Sequence, residues 1–140
     1  MRFMVLGPAN KILEAGAMPT AAELIEMNTF NQELINVGVM LTGEGLHPTS
    51  KGARIHYNGD EPVVIAGPFA KSKELIAGFW LVQGTSLAEV VERFKRAPVS
   101  LGRLEIRQAL HPEDFEPAVK TEAGRTVMDA EVEFRKRANT

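Results

Sequence analysis

Residues 43–80, GEGLHPTSKGARIHYNGDEPVVIAGPFAKSKELIAGFW, contain the densest turn and strand signals of this chain. Three apolar runs alternate here with glycine-containing loops, and the segment holds two of the three histidines of the protein. Asn58 and Gly59 separate the first two runs, and this dipeptide favours a tight hairpin turn because both residues tolerate positive φ. The segment therefore predicts a hairpin of residues 53–57 and 62–66, followed by a long strand over residues 75–83.

One helix is predicted before this segment and one after it. Thr20 and Ser86 are each followed three residues later by glutamate, which is the pattern of a capping box. Gly38 ends the first helix and Pro98 ends the second. The apolar stripe of the first helix consists of Leu24, Met27, Leu34 and Val37, widened by Ile35. That of the second consists of Leu87, Val90, Val91 and Phe94.

Short apolar runs at residues 2–6, 39–42 and 104–110 supply the remaining strands. Without the inserted hairpin, the order of elements is β-α-β-β-α-β, so the predicted fold class is α+β and ferredoxin-like. Such a sheet carries helices on one face only, and its other apolar face must be covered. In a short chain the usual cover is a second copy, so we expect a homodimer.

Residues 1–115 form the predicted domain, and residues 116–140 form a charged C-terminal tail. Residues 127–138 suit a helix, although their apolar residues make only a thin stripe. We expect this tail to become ordered against the partner subunit.

Composition excludes several classes of function. A formal net charge of −2 gives no electrostatic reason to expect nucleic acid or an anionic membrane as partner. The chain has no cysteine, which excludes disulfides, thiol nucleophiles and thiolate metal sites. Gly7 and Pro8 interrupt the first apolar run too early for a signal peptide or a membrane span. We therefore expect a cytoplasmic protein.

The same central segment resembles the YCII-related family, specifically its DGPF-domain branch. The resemblance is carried by residues 43–48, 50–53, 67–69 and 73–80, with support from residues 18–19 and 31–34. It implies a dimeric α+β barrel, in which ferredoxin-like subunits pair sheet against sheet and leave a pocket between sheet and helices. It implies no general function: members are often encoded beside sigma-factor genes, and enzymatic activity has been suspected rather than assigned.

Two departures from the family pattern weaken an enzymatic interpretation. The branch is named for Asp-Gly-Pro-Phe, but Ala66 stands here in place of the aspartate. The family's suggested His–Asp pair places its histidine at the first helix, where this chain has none.

His47 and Glu44 are the candidate catalytic residues. A neutral imidazole held by a carboxylate is a plausible general base near neutral pH. Alternatively, His47 caps its loop by hydrogen bonds to the backbone, and Glu44 pairs with Arg54 at the sheet edge.

Further residues are candidates for binding a ligand. Lys73 and Glu74 lie just before the start of a predicted strand. They either bind an anionic substrate or are solvated surface residues at the strand end. Aromatic side chains either line a pocket or belong to the core or the dimer interface. The ligand-binding candidates are Lys51, Arg54, Phe69, Lys73, Glu74 and Trp80.

No metal or cofactor is predicted, because the histidines lack the spacing of a zinc site and no glycine-rich phosphate loop introduces a helix. We expect a homodimer with a pocket near His47 for an unknown small molecule. If the protein is an enzyme, which the sequence leaves open, acid–base chemistry of the isomerase, lyase or cofactor-free oxygenase type suits the barrel. The alternative is a non-enzymatic binding or regulatory module linked to sigma-factor-dependent transcription.

Overall fold

The computed structural model describes residues 1–70, 74–116 and 120–138. The chain forms two compact units, Met1–Gln108 and Ala109–Thr140. The elements of the first unit are β1 (Arg2–Pro8), α1 (Lys11–Glu14), α2 (Ala21–Asn36), β2 (Met40–Gly45), β3 (Ala53–Asn58), β4 (Glu61–Ala66), β5 (Ile76–Gln83), α3 (Leu87–Phe94) and β6 (Glu105–Gln108). Short 3₁₀ turns occupy Thr49–Lys51 and Val99–Leu101.

The main sheet has four strands in the order β2-β5-β1-β6, and every neighbouring pair is antiparallel. Strands β3 and β4 form a separate two-stranded sheet. The predicted α+β, ferredoxin-like order with an inserted hairpin is therefore confirmed.

Both long helices of this unit begin with the predicted caps. The Thr20 hydroxyl oxygen accepts a hydrogen bond from the Glu23 N–H at 3.2 Å, and the Ser86 hydroxyl oxygen accepts one from the Glu89 N–H at 3.1 Å. Beyond α2, Gly38 adopts a φ of +72°, the left-handed conformation that favours glycine. These local signals explain why the sequence places both helices correctly.

The carboxylate of Glu89 completes the start of α3. It accepts hydrogen bonds from the backbone N–H of Thr85, at 2.7 Å, and from the Thr85 hydroxyl. These bonds, assisted by the nearby Arg93, lower the pKa of Glu89 from its ordinary value of 4.5.

The core lies between the helices and one face of the main sheet. Phe3, Val5 and Val82 are fully buried on the sheet, and the helices contribute four further buried side chains, Phe30, Leu34, Val90 and Phe94. Trp80 is 7% exposed, and its ring packs edge-on against Phe30 and Phe94 at centroid distances of 6.2 and 5.4 Å.

The apolar stripe predicted for the first helix requires a correction. Leu34 is buried and Met27 packs against the core, but Leu24, Ile35 and Val37 are exposed. Leu24 lies about a quarter-turn around the helix from the core-facing residues, and Val37 follows the last helical residue. Phe30, which the predicted stripe omits, takes the central position. In the second helix, Val90 and Phe94 of the predicted stripe are buried, but Leu87 is exposed because it is the first residue of α3.

The second face of the sheet is also apolar at its centre. Strand alternation places Met4 and Leu6 of β1 beside Leu81 and Phe79 of β5, on the face opposite the core. Met4 is 37% exposed and the other three side chains are half-buried. Polar residues flank them on the neighbouring strands: Thr42, Glu44, Glu105 and Arg107. We call these eight residues the second face.

The second unit contains a 3₁₀ turn, Pro112–Phe115, and the helix α4, Glu122–Ala138. The Thr121 hydroxyl oxygen accepts a hydrogen bond from the Gly124 N–H at 2.9 Å near the start of α4. The helix thus begins five residues before the predicted start at residue 127. The domain end at residue 115 and the ordering of the tail against a partner stay predictions. Across the described part of the chain, no helix is long and apolar enough to cross a membrane.

Candidate functional site

A hydrogen-bonded clamp joins three segments of the chain around Thr49. The carboxylate of Glu14 accepts hydrogen bonds from the Thr49 backbone N–H at 3.1 Å and from the Thr49 hydroxyl at 2.6 Å. The same hydroxyl oxygen accepts a hydrogen bond from the Phe69 N–H at 3.0 Å. The clamp therefore holds α1, the loop after β2 and the turn after β4 together.

Gly67 belongs to this clamp because no side chain fits at its position. A Cβ atom on Gly67 would lie 1.6 Å from the carbonyl oxygen of Thr49, far inside van der Waals contact. The Gly67–Pro68 peptide bond is cis. The Gly67-Pro68-Phe69 motif thus has a structural role here, which is to pack the turn against the Thr49 backbone.

Sequence reasoning missed Glu14. The usable signal was Asn10, whose side-chain oxygen accepts a hydrogen bond from the Leu13 N–H at 2.8 Å and so caps α1. Residue 66 is an alanine, but Glu14 brings a carboxylate to the loop against which Gly67 packs.

The structure does not bring His47 and Glu44 together into a pocket. Glu44 is exposed on the second face, opposite Phe79 in the strand register. His47 is exposed in the loop after β2. Within the described residues, neither side chain forms a hydrogen bond or ion pair, so neither an imidazole–carboxylate pair nor a Glu44–Arg54 pair is present.

The ligand-binding candidates are dispersed over the first unit. Lys51 is exposed in its 3₁₀ turn, and the Arg54 guanidinium stacks 4.0 Å from the centroid of the Phe69 ring, a cation–π contact. Trp80 lies in the core, where its indole N–H donates a hydrogen bond to Asn31 Oδ1 at 2.8 Å. Lys73 lies outside the described residues. Of the described candidates, Glu74 alone lines the cavity described below.

That cavity has a volume of about 480 Å³ and lies where β1 ends and β5 and β6 begin. Its walls combine apolar side chains, including Leu6 and Ile76, with Glu74, Arg103 and Glu105. The volume falls within the range of small-molecule sites. We call it the sheet-end cavity.

Two open grooves lie elsewhere on the first unit. The groove between α2 and α3 has a volume of about 730 Å³, but charged residues that line it already pair with one another. Arg93 contacts Glu89 at 3.4 Å and Arg96 contacts Glu33 at 3.1 Å. A groove beside α3, of about 290 Å³, is mainly apolar. By contrast, Glu74 and Glu105 form no ion pair with any residue that the structure describes.

The described residues contain no cluster of three or more histidine, aspartate or glutamate side chains suited to a metal ion. The carboxylates and guanidinium of the sheet-end cavity instead suit an organic molecule with both hydrogen-bond donors and acceptors.

Comparison with known proteins places the chain in a family. The sequence model of the YCII-related domain matches residues 1–110. An uncharacterized protein of Rhizobium meliloti (strain 1021) is 28% identical over 85 residues, which are 59% of this chain and 68% of the relative. A solved structure is also similar: 5-chloro-2-hydroxyhydroquinone dehydrochlorinase from Burkholderia phenoliruptrix AC1100, in complex with 2,5-dihydroxybenzoquinone. It has a TM-score of 0.44 and 13% identity, over 81% of this chain and 98% of that one. This structural similarity is too weak to support an argument, but the family match covers most of the chain. The chain therefore belongs to the YCII-related family.

Proposed function

We propose that this protein is a homodimer that binds a small polar organic molecule in the sheet-end cavity. The observation that carries the proposal is the convergence of Glu74, Arg103 and Glu105 on a cavity of about 480 Å³ with apolar walls. Apolar walls supply area for a ligand, and a few polar groups fix its orientation.

The side chains of the cavity favour a ligand that carries hydroxyl groups. The carboxylates of Glu74 and Glu105 accept hydrogen bonds, and the Arg103 guanidinium donates them. A carboxylate beside a bound hydroxyl or an acidic C–H group is also positioned to take a proton. Acid–base chemistry is therefore the reaction class that this cavity supports, if the ligand is a substrate.

The second face supports the homodimer. An apolar centre with a polar rim is typical of a surface that another protein covers. A second copy fits because the same residues from two chains then meet around a twofold axis.

Thermal-shift measurements with small carboxylates and hydroxylated aromatic compounds test the ligand site. A ligand that fits should raise the melting temperature of the wild type and lose most of its effect in Glu74→Gln and Glu105→Gln. The control is Glu92→Gln, because Glu92 is exposed and lines the groove between the helices. An equal response in all four proteins, or no response in any, contradicts the proposed site.

His47 and Glu44 stay candidates for an acid–base role. Neither lines the sheet-end cavity. His47→Ala in the same assay tests the predicted pocket near His47 independently, because a ligand there would lose its thermal shift only in this variant.

The alternative is a regulatory module linked to sigma-factor-dependent transcription. The exposed position of His47 favours it, since a catalytic imidazole needs a substrate site around it. It predicts no thermal shift with any small molecule and saturable binding to a purified sigma factor.

A further inference from the structure

The hairpin of β3 and β4 has one face that is apolar throughout. In its register Ala53 lies opposite Ala66, Ile55 opposite Val64, and Tyr57 opposite Pro62. Directly opposite residues share a face, so these six side chains form one continuous surface. We call them the apolar arm face. The other face is mixed, because it also carries Arg54, His56, Asn58 and Glu61.

Every residue of both hairpin strands is exposed. On the apolar arm face the exposed fraction reaches 50% for Ile55, 66% for Val64 and 80% for Tyr57. A two-stranded hairpin is at best marginally stable in water unless a further strand or another surface covers it. Among the residues that the structure describes, the two strands pair only with each other, so no further strand covers the hairpin there.

The base of the hairpin, in contrast, is firmly held. The Gly67 N–H donates a hydrogen bond to the Gly52 carbonyl at 2.9 Å, next to the Glu14–Thr49–Phe69 clamp. Arg54, from the mixed face, stacks on Phe69. An arm that is fixed at its base and apolar on one face is suited to docking rather than to free movement.

From these observations we propose that the apolar arm face docks on a second copy of this chain and forms part of the dimer interface. The inference rests on the homodimer proposed above and adds the segment that completes it.

Area is the argument for a second copy as the occupant. The second face spans four strands that lie about 4.8 Å apart, and each strand contributes about five residues of about 3.3 Å. The area of this face is therefore roughly 300 Å². A stable interface buries about 800 Å² on each partner. The second face alone falls short of that value. In a twofold dimer, each chain buries its own apolar arm face and also the surface that the partner's arm covers. These two contributions supply much of the area that the second face lacks.

The chain has one tyrosine, Tyr57, and it lies on the apolar arm face. Protein labelled with 3-fluorotyrosine therefore gives a single ¹⁹F resonance that reports on the arm. Spectra recorded with a soluble paramagnetic agent, at concentrations above and below the dimer dissociation constant from sedimentation velocity, test the proposal. We expect Tyr57 to be protected in the dimer and accessible in the monomer.

Val64 and Val63 provide a matched pair of variants. They are adjacent and of the same type, with exposed fractions of 66% and 52%, but Val64 lies on the apolar arm face and Val63 on the mixed face. Val64→Glu should raise the dimer dissociation constant at least about tenfold relative to Val63→Glu, because it places a carboxylate in an apolar contact. Circular dichroism verifies that both variants fold.

The outcomes separate the two proposals. A dimer in which Tyr57 stays fully accessible, or in which the two glutamate variants associate equally, overturns arm docking while the homodimer stands. A chain that stays monomeric at every concentration overturns both.

Discussion

The indole N–H of Trp80 donates a hydrogen bond to Asn31 Oδ1 at 2.8 Å, and this bond ties β5 to α2 inside the aromatic core. Asn31→Ala removes the acceptor and leaves a buried N–H group unsatisfied. We expect a loss of about 1–3 kcal/mol in the free energy of unfolding, measured by urea denaturation. Gln32→Ala is the control, since the Gln32 side chain donates its one hydrogen bond within the described residues to exposed Asn36 of the same helix. Equal losses in both variants would contradict this account.

Gly67→Ala should be among the most destabilising single substitutions in the first unit. The new methyl group would meet the Thr49 carbonyl oxygen at 1.6 Å, so the backbone must move and the clamp must open. We expect a loss of at least about 3 kcal/mol by urea denaturation, at the upper end of overpacking effects. Gly45→Ala provides the comparison, because no atom of a described residue other than its chain neighbours lies within 4 Å of the position that its new methyl group would take. It should change stability by about 0.5 kcal/mol or less.

Glu14 and Thr49 should behave as a coupled pair. Glu14→Gln and Thr49→Val each remove part of the same two-bond contact. The sum of the two single-variant losses in unfolding free energy should therefore exceed the loss in the double variant. We expect a coupling free energy of about 1–2 kcal/mol from the double-mutant cycle in urea. A cycle of Thr49→Val with Glu26→Gln, on the exposed surface of α2, should give none. Additive effects for Glu14 and Thr49 would mean that the clamp contributes no stability.

The contribution of Glu89 should depend on pH. Because folding lowers the pKa of this carboxyl from 4.5, its stabilising effect is complete above pH 4.5. That effect is lost as the pH falls through the lower pKa of the folded protein. Glu89→Gln should therefore unfold at lower urea concentration than the wild type at pH 7, and the difference between the two midpoints should shrink as the pH falls below 4.5. Glu92→Gln, which removes only an exposed pair with Lys95, serves as control. A constant difference from pH 7 to pH 3 would refute the linkage.

Association through the second face can be tested at Met4. Met4→Lys places a charge at the centre of this face, where Met4 lies beside Leu81. We expect it to raise the dimer dissociation constant by at least about tenfold, measured by light scattering after size-exclusion chromatography. Ile35→Lys alters an exposed apolar residue on α2 and should leave association unchanged. If both variants show the same molar mass as the wild type at every concentration, the second face is not the interface.

The sequence predicted the order of elements because its signals act locally. Thr20 and Ser86 cap their helices through hydrogen bonds within a single turn. The hairpin turn was predicted at Asn58-Gly59, but it lies one residue later, at Gly59 and Asp60 between the paired residues Asn58 and Glu61, and Gly59 has a φ of +83°. Helix α1 was missed although Asn10 caps it by the same kind of local hydrogen bond. It has four residues, too few for a periodic pattern, and Glu14 gains its partner from a loop 35 positions later.

The candidate site was less predictable for a related reason. The direction of a side chain in a loop depends on distant contacts, so sequence alone did not show that His47 lies in solvent. Trp80 is different: it shares strand alternation with the fully buried Val82, and this pattern was available as a signal for the core. Arg103 and Glu105 line a cavity only because β6 pairs with β1, a pairing that local patterns do not encode.

The hydrogen bond between Gly52 and Gly67 closes the hairpin at its root. The two points where the chain leaves and rejoins the body of the protein are thus already neighbours, and the intervening residues are topologically a detachable loop. Lengthening, shortening or exchanging residues 53–66 should therefore leave the strand register of the main sheet unchanged. Substitutions in this segment can then change which surface the protein binds without changing the rest of the fold.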